Sequence, residues 1–117
     1  EEMLRIRTET DRANFGFIMD TGQWIGSPGG YEENPTDVDF YEFMEQTVPH
    51  ALYIRTKFYE IETGTEQWLD YERIVEILRA VDFNGNMSIV FEGHGNRCSD
   101  FEAIRLAVAH LRKLLAS

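Results

Sequence analysis

Apolar positions follow their clearest pattern between residues 51 and 93 of the chain. Two runs rich in Ile, Val, Phe and Tyr, at 52–59 and 87–92, have the composition of parallel strands that are buried on both faces. Between them, apolar residues recur at helical spacing after Asp70, a suitable N-cap, and the stretch 83–86 (FNGN) is typical of a stop and a turn. The helical stripe consists of Tyr71, Ile74, Val75, Ile77, Leu78 and Val81. This segment therefore predicts one βαβ unit.

Predicted strands and helices also follow one another in the N-terminal half of the chain. Asn14 to Asp20 predicts a strand that ends in a polar Asp-Thr-Gly turn, and the stretch 26–35, which is dense in Gly and Pro, predicts a loop. A helix is expected from a Thr36 cap to about Thr47. The segment 1–10 leaves two interpretations open, a strand or the last turns of a helix.

A last helix is expected at the C-terminus, where Ser99 and Glu102 fit a capping box. Its predicted apolar face consists of Phe101, Ile104, Val108, Leu111 and Leu115. His110 in this helix and His50 after Pro49 are expected at the surface or in an interface. Repeated strand–helix units predict an α/β fold with parallel strands in sequence order and helices on the outer side.

Composition narrows the class of protein. A chain of 117 residues with 43% apolar residues can form one domain with a real core. The formal net charge of -10 argues against nucleic acid or an anionic membrane as the main partner. Cys98 is the one cysteine, which excludes an internal disulfide and fits a reducing compartment such as the cytoplasm. The sequence contains no run of 18 apolar residues, so no transmembrane helix is predicted.

Three apolar strands are few for a parallel sheet that has to be covered on both faces. We therefore expect the chain to be part of something larger. It is either a fragment or a subunit that completes a barrel with another protein chain or as a homo-oligomer.

Three stretches carry a family resemblance. They are Asn14 to Gly22 (NFGFIMDTG), Tyr53 to Glu60 (YIRTKFYE) and Phe83 to Gly93 (FNGNMSIVFEG). In this order and at this spacing, they resemble strands six, seven and eight of the xylose isomerase-like TIM barrels, the sugar phosphate isomerase/epimerase superfamily. The resemblance implies that residues 1–117 form a single partial TIM-barrel domain with about the last three of eight βα units.

The resemblance also implies a divalent metal, Mn or Mg, held by Glu, Asp, His and Glu from four strand ends. Asp20 matches the Asp ligand. Arg55 stands at the His position and Val90 at the final Glu position, and neither side chain can bind a cation. The expected metal site is therefore incomplete in this chain.

Alternation along the strands keeps other polar residues in the picture. Arg55, Lys57 and Tyr59 share one face of their strand, and the family alignment brings Arg55 and Lys57 together with Asp20 and Glu92. One interpretation is an ion-pair network that replaces the metal, with a buried Arg55 as the surrogate cation. The other is a site for a sugar or sugar phosphate, with Lys57 and Glu92 as catalytic residues and Arg55 and Lys57 as substrate-binding residues.

Two further residues are candidates for substrate binding. His94 lies in a Gly-His-Gly loop after Glu92, where the alternative is an ordinary loop histidine. Trp24 follows a strand end and could stack on a sugar face, where the alternative is packing of its loop.

Three hypotheses on function follow from the resemblance and the departures from it. The chain is part of a sugar isomerase or epimerase that moves protons on a carbohydrate, or it is a non-catalytic piece kept for assembly or sugar binding. The third hypothesis is a truncated or engineered part of a barrel. The family motifs favour the first hypothesis, and Arg55 and Val90 favour the other two.

Overall fold

The computed structural model describes residues 2–28, 38–93 and 97–117. Within these ranges, helices alternate with a three-stranded parallel sheet, so the predicted α/β fold class is confirmed. The helices are α1 (Glu2–Thr10), α2 (Phe40–Thr47), α3 (Tyr71–Ala80) and α4 (Asp100–Ala116), and the strands are β1 (Phe17–Asp20), β2 (Ala51–Phe58) and β3 (Asn86–Phe91). A 3-10 turn, Val48–His50, joins α2 to β2. The N-terminal segment, which the sequence left open, is a helix.

The strands lie in the order β1-β2-β3 and pair in parallel, as predicted. β2 and β3 begin and end within one residue of their predicted bounds. β1 is shorter than predicted: it begins at Phe17 rather than Asn14, and its pairing with β2 is irregular between Phe17 and Ile18. The register places Asp20 opposite Arg55 and Lys57 opposite Val90.

The core lies on one face of the sheet. Met19, Ile54 and Phe58 from the strands belong to one buried cluster with side chains of α2, α3 and α4. The helical members include Met44, Ile74, Leu78, Ala103 and Ala107. The opposite face is largely open, since Ile18 is 42% exposed and Arg55 and Ser88 are also exposed. The described residues therefore cover one face of the sheet, and burial of the second face by a further chain or segment stays a prediction.

α4 packs with a face that shares Leu111 with the predicted one and otherwise differs from it. Ala103, Ala107, His110 and Leu111 are buried, whereas Phe101 is 81% exposed and Ile104 and Leu115 are also exposed. Small alanine side chains allow the helix to approach its neighbours closely, and this packing decides between two apolar stripes of similar strength. His110 is correspondingly buried and meets the ring of Tyr71 edge-on at 6.1 Å, so its predicted surface position is wrong. Among the described residues, no helix combines the length and apolar character needed to cross a membrane.

Helix caps confirm some predicted starts and correct others. Asp70 and Ser99 cap α3 and α4 as predicted, accepting hydrogen bonds from the backbone N–H of Arg73 (3.0 Å) and Glu102 (3.2 Å). α2 is capped by Asp39, whose carboxylate accepts from the N–H of Tyr41 at 3.1 Å. The predicted cap, Thr36, lies outside the described residues.

The end of α3 shows why the predicted stop was placed too late. The helix ends at Ala80, and Asp82 adopts a left-handed φ of 51°. The N–H of Phe83 donates to the carbonyl of Leu78 and that of Asp82 to the carbonyl of Arg79, both at 3.0 Å. This is the Schellman arrangement, which is usually closed by glycine.

Replacement of Asp82 by glycine is expected to raise the free energy of unfolding by about 0.5–1 kcal/mol. A non-glycine residue in the left-handed region costs about 1–2 kcal/mol, partly offset by the greater freedom of glycine in the unfolded chain. Asp82→Ala is the matched control and should lower stability, since it keeps a Cβ and loses the polar side chain. Urea denaturation of the three proteins checks the order, and equal effects of Gly and Ala would contradict this explanation of the helix end.

Candidate functional site at the carboxyl edge of the sheet

Four charged side chains meet where the parallel strands end. Asp20 is the last residue of β1, Arg55 and Lys57 lie on β2, and Glu92 directly follows β3. The Asp20 Oδ2 atom is 3.7 Å from Arg55 Nε and 4.0 Å from Lys57 Nζ, and Lys57 donates a close hydrogen bond to Glu92 Oε1. The convergence predicted from strand parity is therefore confirmed. We call these four residues the charged cluster.

The buried cation of the charged cluster is Lys57. Only 2% of its side chain is exposed, against 46% for Arg55. Arg55 pairs with Asp20, but because its side chain is exposed, the hypothesis of a buried Arg55 as the surrogate cation is wrong. Lys57 lies on the same face of β2, two residues nearer the end of the strand, and occupies the enclosed position.

The turn after β1 encloses Lys57. Gly22 packs flat against it, and a Cβ added to Gly22 would lie 3.0 Å from the Cβ and Cγ atoms of Lys57. Tyr59 is buried beside the same glycine, with its hydroxyl donating to the Gly22 carbonyl at 3.3 Å and its ring stacked on Trp68 at 5.2 Å. Burial raises the pKa of the Tyr59 hydroxyl, so it stays protonated. The turn after β1 therefore packs closely against the lysine stem.

Asp20 presents one satisfied and one unsatisfied oxygen. Its Oδ1 atom accepts from the N–H of Gly22 at 2.8 Å. Its Oδ2 atom is buried and, within the described parts of the chain, accepts no hydrogen bond. Burial raises the pKa of Asp20, while the Gly22 N–H and the charges of Lys57 and Arg55 lower it. Oδ2 is therefore an acceptor that a ligand hydroxyl could satisfy.

The cluster offers a poor donor set for Mn or Mg. Of the three ligands expected from this chain only Asp20 is present, and its Oδ2 atom faces two cationic side chains. Glu92 is engaged by Lys57. Across the described residues, no three His, Cys, Asp or Glu side chains come together in a way that could hold a metal ion. These residues do not fit the metal that the resemblance implied.

No protein-family model and no curated protein matches the chain. The family resemblance therefore rests on the three sequence stretches alone.

One predicted substrate-binding residue, Trp24, stands apart from the charged cluster. Trp24 packs against Phe43 with the ring centroids 6.1 Å apart, in a groove also lined by Leu4 of α1 and Gln46 of α2. This contact agrees with the interpretation that Trp24 packs its loop. Stacking of Trp24 on a sugar stays a prediction. His94 lies outside the described residues.

Glu66 is a structural residue of this edge that sequence reasoning missed. Its buried carboxylate accepts from the backbone N–H groups of Tyr59 (2.9 Å), Glu60 (3.2 Å) and Trp68 (3.1 Å). Burial raises the pKa of Glu66, and these donors lower it. The carboxylate folds the loop after β2 back on itself. A lone Glu in a polar loop carries no sequence signal for such a role.

Arg97 joins the loops after β2 and β3. Its guanidinium lies 3.2 Å from Glu60 and 3.0 Å from Glu62. A backbone hydrogen bond within Glu62 itself lowers the pKa of the Glu62 carboxyl, and the pair with Arg97 lowers it further. Ion pairs therefore hold together the two loops that border Lys57 and Glu92.

Proposed function

We propose that this chain is the C-terminal part of a xylose isomerase-like barrel and that the charged cluster binds an uncharged sugar. One observation carries the proposal: a lysine that is almost fully buried lies between two carboxylates at the carboxyl edge of parallel strands. This edge is where α/β folds bind their ligands. A cluster of two acids and two bases is typical of sites that handle hydroxyl and carbonyl groups.

The proposed chemistry is proton transfer between neighbouring carbon atoms of the sugar. Glu92 is the proton acceptor, because 43% of its side chain is exposed and a ligand can reach it. Lys57 donates a hydrogen bond to the carbonyl oxygen and stabilises the negative charge that develops there when the proton leaves carbon. The same carboxyl group returns the proton to the former carbonyl carbon, while the proton of the neighbouring hydroxyl passes to the former carbonyl oxygen, so that the second carbonyl forms and no charge is left. Asp20 Oδ2 accepts a sugar hydroxyl.

An unphosphorylated sugar is favoured over a sugar phosphate. The described cations near this edge already have carboxylate partners: Arg55 with Asp20 (3.7 Å), Lys57 with Glu92, and Arg97 with Glu60 (3.2 Å) and Glu62 (3.0 Å). A phosphate group would have to displace one of these carboxylates and approach a chain with a net charge of -10. An uncharged sugar has no need to displace a carboxylate and is not repelled by the net negative charge of the chain.

A non-catalytic role in sugar binding or assembly is the second candidate. The poor donor set for a metal favours it, because the implied family chemistry depends on that metal. In this case the charged cluster would bind a sugar without changing it. The two candidates share the binding step, and they differ in whether the bound sugar exchanges a carbon-bound proton with solvent.

Binding of the neutral ketose D-fructose and of D-fructose 6-phosphate tests the proposed site by ligand-observed NMR. We expect the chain to bind fructose, and fructose 6-phosphate no more tightly. Glu92→Gln should weaken fructose binding about tenfold, since it removes a charged partner worth about 1.4 kcal/mol or more. Glu76→Gln on the outer surface of α3 is the matched control and should leave binding unchanged. Absence of fructose binding, or equal binding by Glu92→Gln, would contradict the proposal.

We also propose that the open face of the sheet is covered by another chain or by a second copy of this one. Ile18 on this face and Phe101 on α4 are large apolar residues that remain exposed, and the outer edges of β1 and β3 are free to pair in the described structure. Sedimentation of the chain at increasing concentration should show association. A monomer that unfolds cooperatively at every concentration would contradict this prediction.

The proposed location is a reducing compartment such as the cytoplasm, which the single cysteine supports. Recovery of the native protein from an oxidising compartment would count against it.

A further inference from the structure

Two buried hydroxyl groups from different elements meet on the backbone of Lys57. The N–H of Lys57 donates to Thr21 Oγ1 at 2.9 Å, and the Tyr71 hydroxyl donates to the Lys57 carbonyl. The two hydroxyls are 3.1 Å apart, close enough for Thr21 to donate to Tyr71. A closed circuit therefore runs from the Lys57 N–H through Thr21 and Tyr71 back to the Lys57 carbonyl.

The circuit replaces ordinary strand pairing at this point. β1 pairs with β2 only as far as Asp20, and the N–H of Thr21 then donates to the carbonyl of Arg55 at 3.0 Å. At Lys57 the chain uses side-chain hydroxyls in place of main-chain partners. Thr21 and Tyr71 are both almost completely inaccessible to solvent. Buried hydroxyls in such a circuit are costly to leave unpaired, so each member holds the others in place.

Rigid neighbours fix the Tyr71 end of the circuit. Its ring stacks on Phe58 at 4.6 Å with only 3° between the planes, and the edge contact with His110 supports another side. Tyr71 is also the first residue of α3, whose start is set by the Asp70 cap. The hydroxyl therefore has little freedom to follow Lys57 if the strand moves.

We propose that Tyr71 and Thr21 are positioning residues that hold the Lys57 ammonium group against Glu92. Neither residue belongs to the charged cluster, and both act on Lys57 through its backbone. The functional meaning of this position rests on the proposed function, since Lys57 is the residue proposed to bind the sugar oxygen. The positioning itself is a property of the fold and can be measured without a ligand.

Chemical labelling of lysine tests the inference directly, because Lys57 and Lys113 are the only lysines in the sequence. Trace acetic anhydride acetylates accessible amines, and mass spectrometry gives the ratio of modification at Lys57 to that at the exposed Lys113. Tyr71→Phe and Thr21→Val each delete one hydroxyl of the circuit and should raise this ratio about tenfold, the effect of one lost hydrogen bond. Thr21→Ser keeps the hydroxyl and should leave the ratio within about twofold of the original.

Tyr41→Phe is the matched control for general loosening. The Tyr41 hydroxyl accepts from the N–H of Asp70 at 2.8 Å, so this variant weakens the start of α3 beside Tyr71 without touching Lys57. An unchanged ratio in folded Tyr71→Phe, or an equal rise in Tyr41→Phe, would overturn the inference. If Tyr71→Phe fails to fold, the comparison of Thr21→Val with Thr21→Ser decides.

The outcome separates this inference from the proposed function. A rise in labelling without any effect of Glu92→Gln on fructose binding supports the positioning and contradicts the sugar site. Fructose binding that depends on Glu92, with labelling unchanged in the circuit variants, supports the sugar site and overturns the positioning.

Discussion

Lys57→Met is expected to lower the free energy of unfolding at neutral pH by about 1–3 kcal/mol. Methionine keeps most of the apolar stem and removes the charge that faces Asp20 and Glu92. Loss of one partner of a fully buried ion pair costs about 3–5 kcal/mol. The smaller value applies here because 43% of the Glu92 side chain is exposed and water can solvate its charge.

The effect of Lys57→Met should depend on pH with a definite sign. Burial already raises the pKa of Asp20, and Lys57 is one of the charges that lower it, so removal of Lys57 raises this pKa further. A folded-state pKa above the unfolded value means that stability falls as pH rises through that interval. The loss caused by Lys57→Met should therefore be largest near pH 7 and smaller near pH 4, close to the ordinary pKa of Asp, below which the carboxyl group is protonated in both states.

Arg55→Met is the matched control for the lysine variant. It also removes a cation next to Asp20, but from a side chain that is half exposed, and exposed pairs contribute about 0–1 kcal/mol. Denaturant titrations of both variants between pH 4 and pH 7.5 would check the comparison. An Arg55→Met loss equal to that of Lys57→Met, or no change with pH, would contradict the assignment of Lys57 as the buried cation.

Gly22→Ala is expected to lower the free energy of unfolding by about 1–3 kcal/mol, the usual cost of overpacking. The added Cβ would lie 3.0 Å from the Lys57 stem and well under 3.0 Å from the Tyr59 hydroxyl oxygen. Neither neighbour can yield easily, because Lys57 is held near its backbone and Tyr59 is stacked on Trp68. Thermal unfolding, together with fructose binding, measures the result.

Gly64→Ala separates crowding from backbone strain. Gly64 has a left-handed φ of 89°, and no atom lies within 4 Å of an added Cβ. Its replacement should cost about 1–2 kcal/mol through strain alone and leave fructose binding intact. If Gly22→Ala binds fructose as well as Gly64→Ala does, the close packing of Gly22 on Lys57 has no part in the site.

The sequence was sufficient to predict the sheet and the meeting of the charged residues. Two runs rich in Ile, Val, Phe and Tyr and a helix with a clear period of 3.6 residues specified the βαβ unit from residue 51 to 93, and Asp70 marked the start of α3. Strand parity placed Arg55 and Lys57 on one face, and the family alignment added the expectation that Asp20 and Glu92 meet them at the carboxyl edge. The sheet depends on local pattern and topology, and the meeting of the four residues also required the family resemblance.

The missed features depend on tertiary packing. Arg55 and Lys57 share a strand face, and the tertiary position of the Gly22 turn, which packs against Lys57, is what periodicity could not indicate. On α4, two apolar stripes compete, and the alanine stripe lies inside because it allows closer approach. Glu66 folds its loop through three backbone N–H groups, which no spacing of residue types indicates. Each of these outcomes required the position of a second element.

The most direct test of the account is the solvent exchange of the lysine ammonium groups, observed by proton–nitrogen NMR near neutral pH. We expect the Lys57 signal to be protected and to persist when the Lys113 signal is lost to exchange. In Glu92→Gln, we expect the Lys57 signal to lose this protection. Lys57 exchange as fast as that of Lys113, or protection unaffected by Glu92→Gln, would contradict the claim that a buried lysine held by Glu92 is the centre of this site.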